Sequence, residues 1–235
     1  MTTTLRGVTA VLLPGTGSDD HYVRQAFADP LQRVGATVLA PPPQPAGLIN
    51  GYLTALDAAA QQGPIAVGGI SIGAAVAAAW AITHPEQAVA VLAALPPWTG
   101  APDGALAAQA ARHTAYQLRH QGLAATTAHM RASSPAWLAD QLARSWLGQW
   151  PELPDAMEEA ARFIAPGRTE FMRLKAPLGV AAASDDPLHP LQIGVEWATA
   201  APHAAVHTVT LAQIGTDPAA LGATCLAALI AAEGL

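Results

Sequence analysis

The feature that most constrains how this chain can fold is an alternation. Six short runs rich in Val, Leu, Ile and Ala are separated by longer stretches with helical spacing. The runs are Val8–Leu13, Ala36–Ala40, Ile65–Gly69, Ala88–Leu95, Leu178–Ala183 and Ala204–Leu211. Helix-like stretches lie near His21–Val34, Leu48–Gln62, Gly73–His84 and Pro218–Ala232. Near-continuous apolar runs belong to strands covered on both faces, so the pattern predicts an α/β fold: a mostly parallel six-stranded sheet with helices on both faces. The last helix is expected to start after Asp217, with Pro218 at the first helical position, where its missing N–H costs nothing. Hydrophobic content of 51% is ample for one sizeable core.

Between Pro96 and Ala176 the pattern changes to Ala, Leu, Arg and Gln stretches with helical spacing and no strand. The expected organisation is therefore a core domain of residues 1–96 and 176–235 interrupted by a helical insertion, 97–175. Trp98, Trp137, Trp146 and Trp150 all fall in the insertion, and the i, i+4 spacing of Trp146 and Trp150 predicts one shared helix face. Packing against the sheet domain and lining an apolar pocket are both open for them. Pro41-Pro42-Pro43-Gln44-Pro45, straight after a strand, reads as a stiff extended connector.

Composition removes several classes of function. Eleven Lys and Arg against 17 Asp and Glu give a net charge of −6, and Lys175 is the single lysine, which argues against a nucleic-acid partner. Cys225 is the single cysteine, so an internal disulfide and a multi-cysteine metal site are excluded and a reducing compartment fits. Val8–Leu13 is too short for a secretory signal, and the Ala-rich windows near Ala74 and Ala219 are broken by polar residues before the span of about 20 residues that a membrane needs. The expectation is a cytoplasmic protein with no membrane span.

Gly69-Ile70-Ser71-Ile72-Gly73 joins a predicted strand to a predicted helix. A G-x-S-x-G motif in that context holds a serine out as an exposed nucleophile, because flanking residues without Cβ atoms permit a tight turn. The competing reading is a serine in an ordinary glycine-rich turn. Gly15-Thr16-Gly17 is not a dinucleotide loop, since Asp20 stands where the third glycine belongs, and no Gly-Lys-Ser/Thr follows to make a phosphate loop. No cofactor is expected. Asp19-Asp20-His21 is a poor tetrahedral ligand set, so no metal is expected either.

Together these segments resemble the α/β-hydrolase superfamily over most of the chain. Val11 to Gly17 resembles the strand and oxyanion loop, Gly69 to Gly73 the nucleophile elbow, and Val180 to Pro190 the strand and turn that present the acid. The resemblance implies Ser71 as nucleophile, the backbone N–H groups of Thr16 and Ile72 as the oxyanion hole, and Asp186, four residues before Pro190, as the acid. It also implies that 97–175 is a lid. The first apolar run matches the family's third strand, so two strands of the full family sheet are expected to be missing. The family's histidine follows the last strand, but Gln213-Ile214-Gly215-Thr216-Asp217 stands here with Thr216 in its slot. Threonine cannot take the serine proton near neutral pH, so the resemblance implies an incomplete or non-standard triad.

The base is then sought among eight histidines. Catalytic groups gather beyond the carboxyl ends of parallel strands, which disfavours His203, ahead of its strand, and His207, within it. His84 ends the helix after Ser71 and is carried away by about 1.5 Å per residue. His21, His189, His113, His120 and His129 remain. His189 is preferred because it leaves the same strand end as Asp186, and a carboxylate-oriented imidazole is what general-base catalysis requires. The expected activity is hydrolysis of a small-molecule carboxylic ester or thioester with a modest acyl chain. A degenerate ligand-binding or interaction protein and an acyltransferase using the same elbow are the alternatives.

Overall fold

The computed structural model describes residues 5–233. Six strands, β1 (Thr9–Leu13), β2 (Thr37–Leu39), β3 (Ile65–Ile70), β4 (Ala88–Ala94), β5 (Leu178–Ala183) and β6 (Ala204–Val209), form one sheet in the order β2-β1-β3-β4-β5-β6. Every pairing is parallel. β3, β4 and β5 are central and bury both faces, which explains their unbroken apolar sequences.

Side chains alternate across the sheet and feed two cores. Val11, Leu13, Ile65, Val67, Val91, Leu178 and Val180 face one side, packed by helices α2 (Leu48–Ala60), α3 (Ile72–Thr83) and α8 (Leu191–Ala200). Ala10, Leu12, Ala66, Leu92 and Ala181 face the other, packed by α1 (Asp20–Arg33) and α10 (Ala219–Glu233). Burying each large aliphatic side chain contributes about 1.5–3 kcal/mol, so these two layers dominate the drive to fold.

Between β4 and β5 the chain is helical: α4 (Leu106–Ser133), α5 (Ala136–Gln149), α6 (Leu153–Arg162) and α7 (Arg168–Phe171). α4 is broken at Gly122, whose φ of 80° is not helical. The insertion has a small core of its own, with Leu118, Met130, Trp146, Leu153 and Met157 in contact. It is tied to the sheet domain by Glu159, whose carboxylate accepts the N–H groups of Leu48 at 2.7 Å and Ile49 at 3.2 Å. An acidic side chain there satisfies two otherwise orphaned donors at the start of α2 and meets the positive end of the helix.

Three expectations need correction. Trp150 does not share a helix face with Trp146, because α5 ends at Gln149 ahead of Pro151; Trp146 is buried and Trp150 is 40% exposed. β6 stops at Val209 where the apolar run ended at Leu211, and residues Leu211–Thr216 form a short helix, α9, for which no element was expected. Pro45 opens a 3-10 turn, Pro45–Gly47, so the proline connector is shorter than it looked. Among the described residues no helix is long and apolar enough to cross a membrane.

Candidate active site

The sheet order places the site. β1 connects outward to β2 on one side while β3 lies on its other side, so a crevice opens beyond their carboxyl ends. Ser71 follows β3 and Thr16 follows β1, which brings both to that crevice.

Ser71 is the residue before α3 and has φ 53° and ψ −117°, a conformation that a non-glycine residue holds only when its surroundings enforce it. Close approach supplies the enforcement. A Cβ on Gly73 would lie 2.3 Å from the Leu13 carbonyl oxygen, and one on Gly69 would meet the same oxygen at 2.3 Å. The end of β1 therefore presses on both glycines, and the turn between them has one way to run. Ser71 itself is only 9% exposed. The expectation of an exposed serine is corrected here: it lines the floor of a cavity of about 410 Å³ that the insertion roofs.

The hydroxyl lies 2.9 Å from His189 Nε2, and His189 Nδ1 lies 2.7 Å from Asp186 Oδ2. A carboxylate only accepts, so the imidazole proton sits on Nδ1 and Nε2 is left to accept the Ser71 O–H. Asp186 Oδ1 also accepts the N–H groups of Leu188 at 2.8 Å and His189 at 3.3 Å. The aspartate thus closes a tight turn and orients the imidazole at once. Burial pushes its carboxyl pKa up, but the contact with His189 and the two backbone N–H bonds outweigh that and hold it below the ordinary carboxylate value. The side chains of His189 and Asp186 are 16% and 10% exposed. Pro187, between the two residues, and Pro190, directly after His189, restrict the loop that carries the pair.

The other aspartate of the turn does different work. Asp185 Oδ1 accepts the N–H of Leu211 at 2.8 Å and pins the start of α9. Thr216 ends α9 with its hydroxyl bonded to the Ala212 carbonyl at 2.9 Å. It lines an open groove with His207 and Asp217, not the cavity of Ser71. His21 is exposed on α1 and away from the cavity lining, so its candidacy as base falls. His120 stacks on Tyr116, His84 stacks on Trp80, and His203 and His207 are exposed at β6. His113 and His129 reach the cavity rim from the two halves of α4.

The Ile72 N–H is at the first position of α3 and has no acceptor within the helix, at the helix's positive end. Thr16 lies in a turn closed by the Ser18 N–H donating to the Gly15 carbonyl at 3.0 Å. Gly17, third in that turn, has φ 70°, which an L side chain rarely adopts. A Cβ on Gly15 would lie 3.5 Å from Ser71 Cβ, so the turn abuts the serine. Trp98, Trp137 and Trp146 line the cavity walls, joining the two roles left open for the tryptophans.

The sequence reading missed residues that hold this geometry: Ser18, Gln141, Ser145 and Gln149, all buried and polar. The spacing of 141, 145 and 149 on a helix that otherwise buries apolar residues was the available signal. Among the described residues no group of three or more His, Cys, Asp or Glu side chains is arranged to hold a metal ion.

No protein-family model matches the sequence, and no curated protein does. Solved structures do. The chain superposes on MenH from S. aureus with a TM-score of 0.74 at 15% identity, covering 98% of this chain and 96% of that one. A carboxylesterase of Nitrososphaera gargenis gives 0.70 at 17%, covering 88% and 83%. The enol-lactonase from Burkholderia xenovorans LB400 gives 0.63 at 18%, covering 87% and 82%. At such identities the likeness is one of architecture: the chain has the α/β-hydrolase fold.

Proposed function

We propose that the protein is a serine hydrolase of uncharged carboxylic esters or thioesters, with Ser71 as nucleophile, His189 as general base and Asp186 as its orienting acid. The observation that carries the reading is the unbroken hydrogen-bonded chain from the Ser71 hydroxyl through His189 to Asp186. A serine hydroxyl is a poor nucleophile until a base accepts its proton, and this chain supplies that base. Ser71 Oγ attacks the acyl carbon as its proton passes to His189 Nε2, and the imidazolium is stabilised by Asp186. The oxyanion is met by the N–H groups of Ile72 and Thr16, each such donor contributing about 3–4 kcal/mol to the transition state. The imidazolium then protonates the departing alcohol or thiol, and water, deprotonated by the same imidazole, releases the acid from the acyl-enzyme.

The cavity supports the substrate class. Its walls include Met130, Leu138, Leu142 and three tryptophans, with His113 and His129 at the rim, and among the described residues no lysine or arginine lines it. Asp186 is its one carboxylate, and burial pushes the phenol of Tyr22 well above its ordinary pKa, so that group stays neutral. Such a site favours a neutral, mostly apolar acyl group over an anionic one. In this reading 97–175 acts as a lid over a core domain of 1–96 and 176–235, of which residues 1–4 and 234–235 lie outside the described residues. The carboxylesterase and the enol-lactonase among the structural neighbours carry the same class of chemistry in their names. The complete hydrogen-bonded chain argues against the degenerate reading, in which Thr216 marks a lost site.

A fluorophosphonate probe and a set of short-chain p-nitrophenyl esters test the proposal. Wild type is expected to be labelled and to turn over the esters, and Ser71→Ala to do neither. A wild type that resists labelling and leaves every ester intact contradicts the reading.

A further inference from the structure

The turn that carries Thr16 is gripped from the insertion side by one face of α5. Gln141, Ser145 and Gln149 stand at i, i+4 and i+8, and all three are buried. Gln141 Nε2 donates to Ser18 Oγ at 2.9 Å. Gln149 Nε2 donates to the Ser18 carbonyl at 3.0 Å and to Ser145 Oγ at 2.8 Å. On the flank of the same helix the Arg144 guanidinium holds the Asp19 carboxylate, with Nη2 3.0 Å from Oδ2. Trp146 closes the grip: a Cβ on Gly17 would lie 2.8 Å from its indole nitrogen.

Packing alone does not require this arrangement. Burying two carboxamides is costly unless each finds partners, and leucine or methionine at these positions would fill the same space without that cost. What the amides supply and an apolar side chain does not is direction, because they fix a backbone carbonyl and a hydroxyl of one four-residue turn. Ser18 is the last residue of that turn, and its N–H already closes it onto Gly15. The Gly15 carbonyl that accepts the Ser18 N–H shares one peptide plane with the Thr16 N–H, so holding Ser18 at two atoms restrains that plane.

We infer that Gln149, assisted by Gln141, is a positioning residue that keeps the Thr16 N–H aimed at the carbonyl oxygen of an acyl group on Ser71. The inference rests on the serine-hydrolase reading above and adds to it that the insertion assembles half of the oxyanion hole. Seating of α5 and transition-state stabilisation are then one event. A loop loosened by about 1 Å is enough to cost up to a hundredfold in rate.

The test compares wild type with Gln149→Met and Gln141→Met, which keep side-chain length and remove the donors. Rates are normalised to active sites titrated with the fluorophosphonate, so that loss of folded protein does not register. For Gln149→Met the expected result is a fall in kcat of roughly 10- to 100-fold with KM within about threefold of wild type. Affinity for a trifluoromethyl ketone, whose adduct with Ser71 places an oxyanion in the hole, should fall by the same factor. If Gln149→Met does not fold, Gln141→Met and Ser18→Ala carry the test, with the same split between kcat and KM. A kcat per active site within about twofold of wild type, in folded variants of an active enzyme, overturns the inference and leaves the hydrolase reading standing. A wild type that is neither labelled nor active overturns both.

Discussion

At Asp186 burial and hydrogen bonding act on one carboxyl in opposite senses, and hydrogen bonding prevails. Because its pKa is lower folded than unfolded, the carboxylate stabilises the native state above the ordinary value of about 4, and that contribution is lost as pH falls through the depressed one. Asp186→Asn should therefore flatten the acid side of the stability profile, measured as Tm from about pH 7 down to about pH 3, a range that spans the titration of a carboxylate. The same substitution should lower kcat by roughly 10²–10⁴-fold, since the amide no longer holds the imidazole in the productive tautomer. Thr216→His, in contrast, should bring no gain in esterase rate, because position 216 lines a groove outside the cavity of Ser71. Ser71, Asp186 and His189 each stood out in the sequence as candidates, and the structure brings them into one hydrogen-bonded chain. What no spacing reveals is that segments 118 residues apart bring a hydroxyl and an imidazole to 2.9 Å.

The elements were legible where one interaction dominates. Buried parallel strands announce themselves by unbroken apolar runs, and β3 and β5 fall where expected, to within one residue. α9 was not seen, although Thr210 and Gln213 form a capping box at its start, with the Thr210 hydroxyl accepting the Gln213 N–H at 3.1 Å. Six residues are too few for helical periodicity to show, so the cap was the sole local signal. Two elements lend themselves to test. Glu159→Ala removes the acceptor at the start of α2 and should destabilise the protein by about 1 kcal/mol, read as a lower midpoint in urea. Gly73→Ala should be far more damaging, since its Cβ would collide with the Leu13 carbonyl oxygen, a backbone atom that cannot swing aside. Loss of fluorophosphonate labelling, with a large fall in Tm, is the expected outcome.

At the scale of the molecule, one sheet with two apolar faces supplies a rigid platform, and the insertion closes over its carboxyl edge. Although the net charge is −6, Asp186 is the one carboxylate that lines the cavity among the described residues, and no lysine or arginine joins it. The central claim is that a histidine three residues beyond the acid, on the acid's own turn, replaces the one the α/β-hydrolase pattern places after the last strand. Its most direct test is the rate of acylation of Ser71 by a p-nitrophenyl ester in His189→Asn against wild type. The account predicts a fall of about a hundredfold or more, as for loss of a general base. A His189→Asn enzyme that acylates within about tenfold of wild type would contradict it.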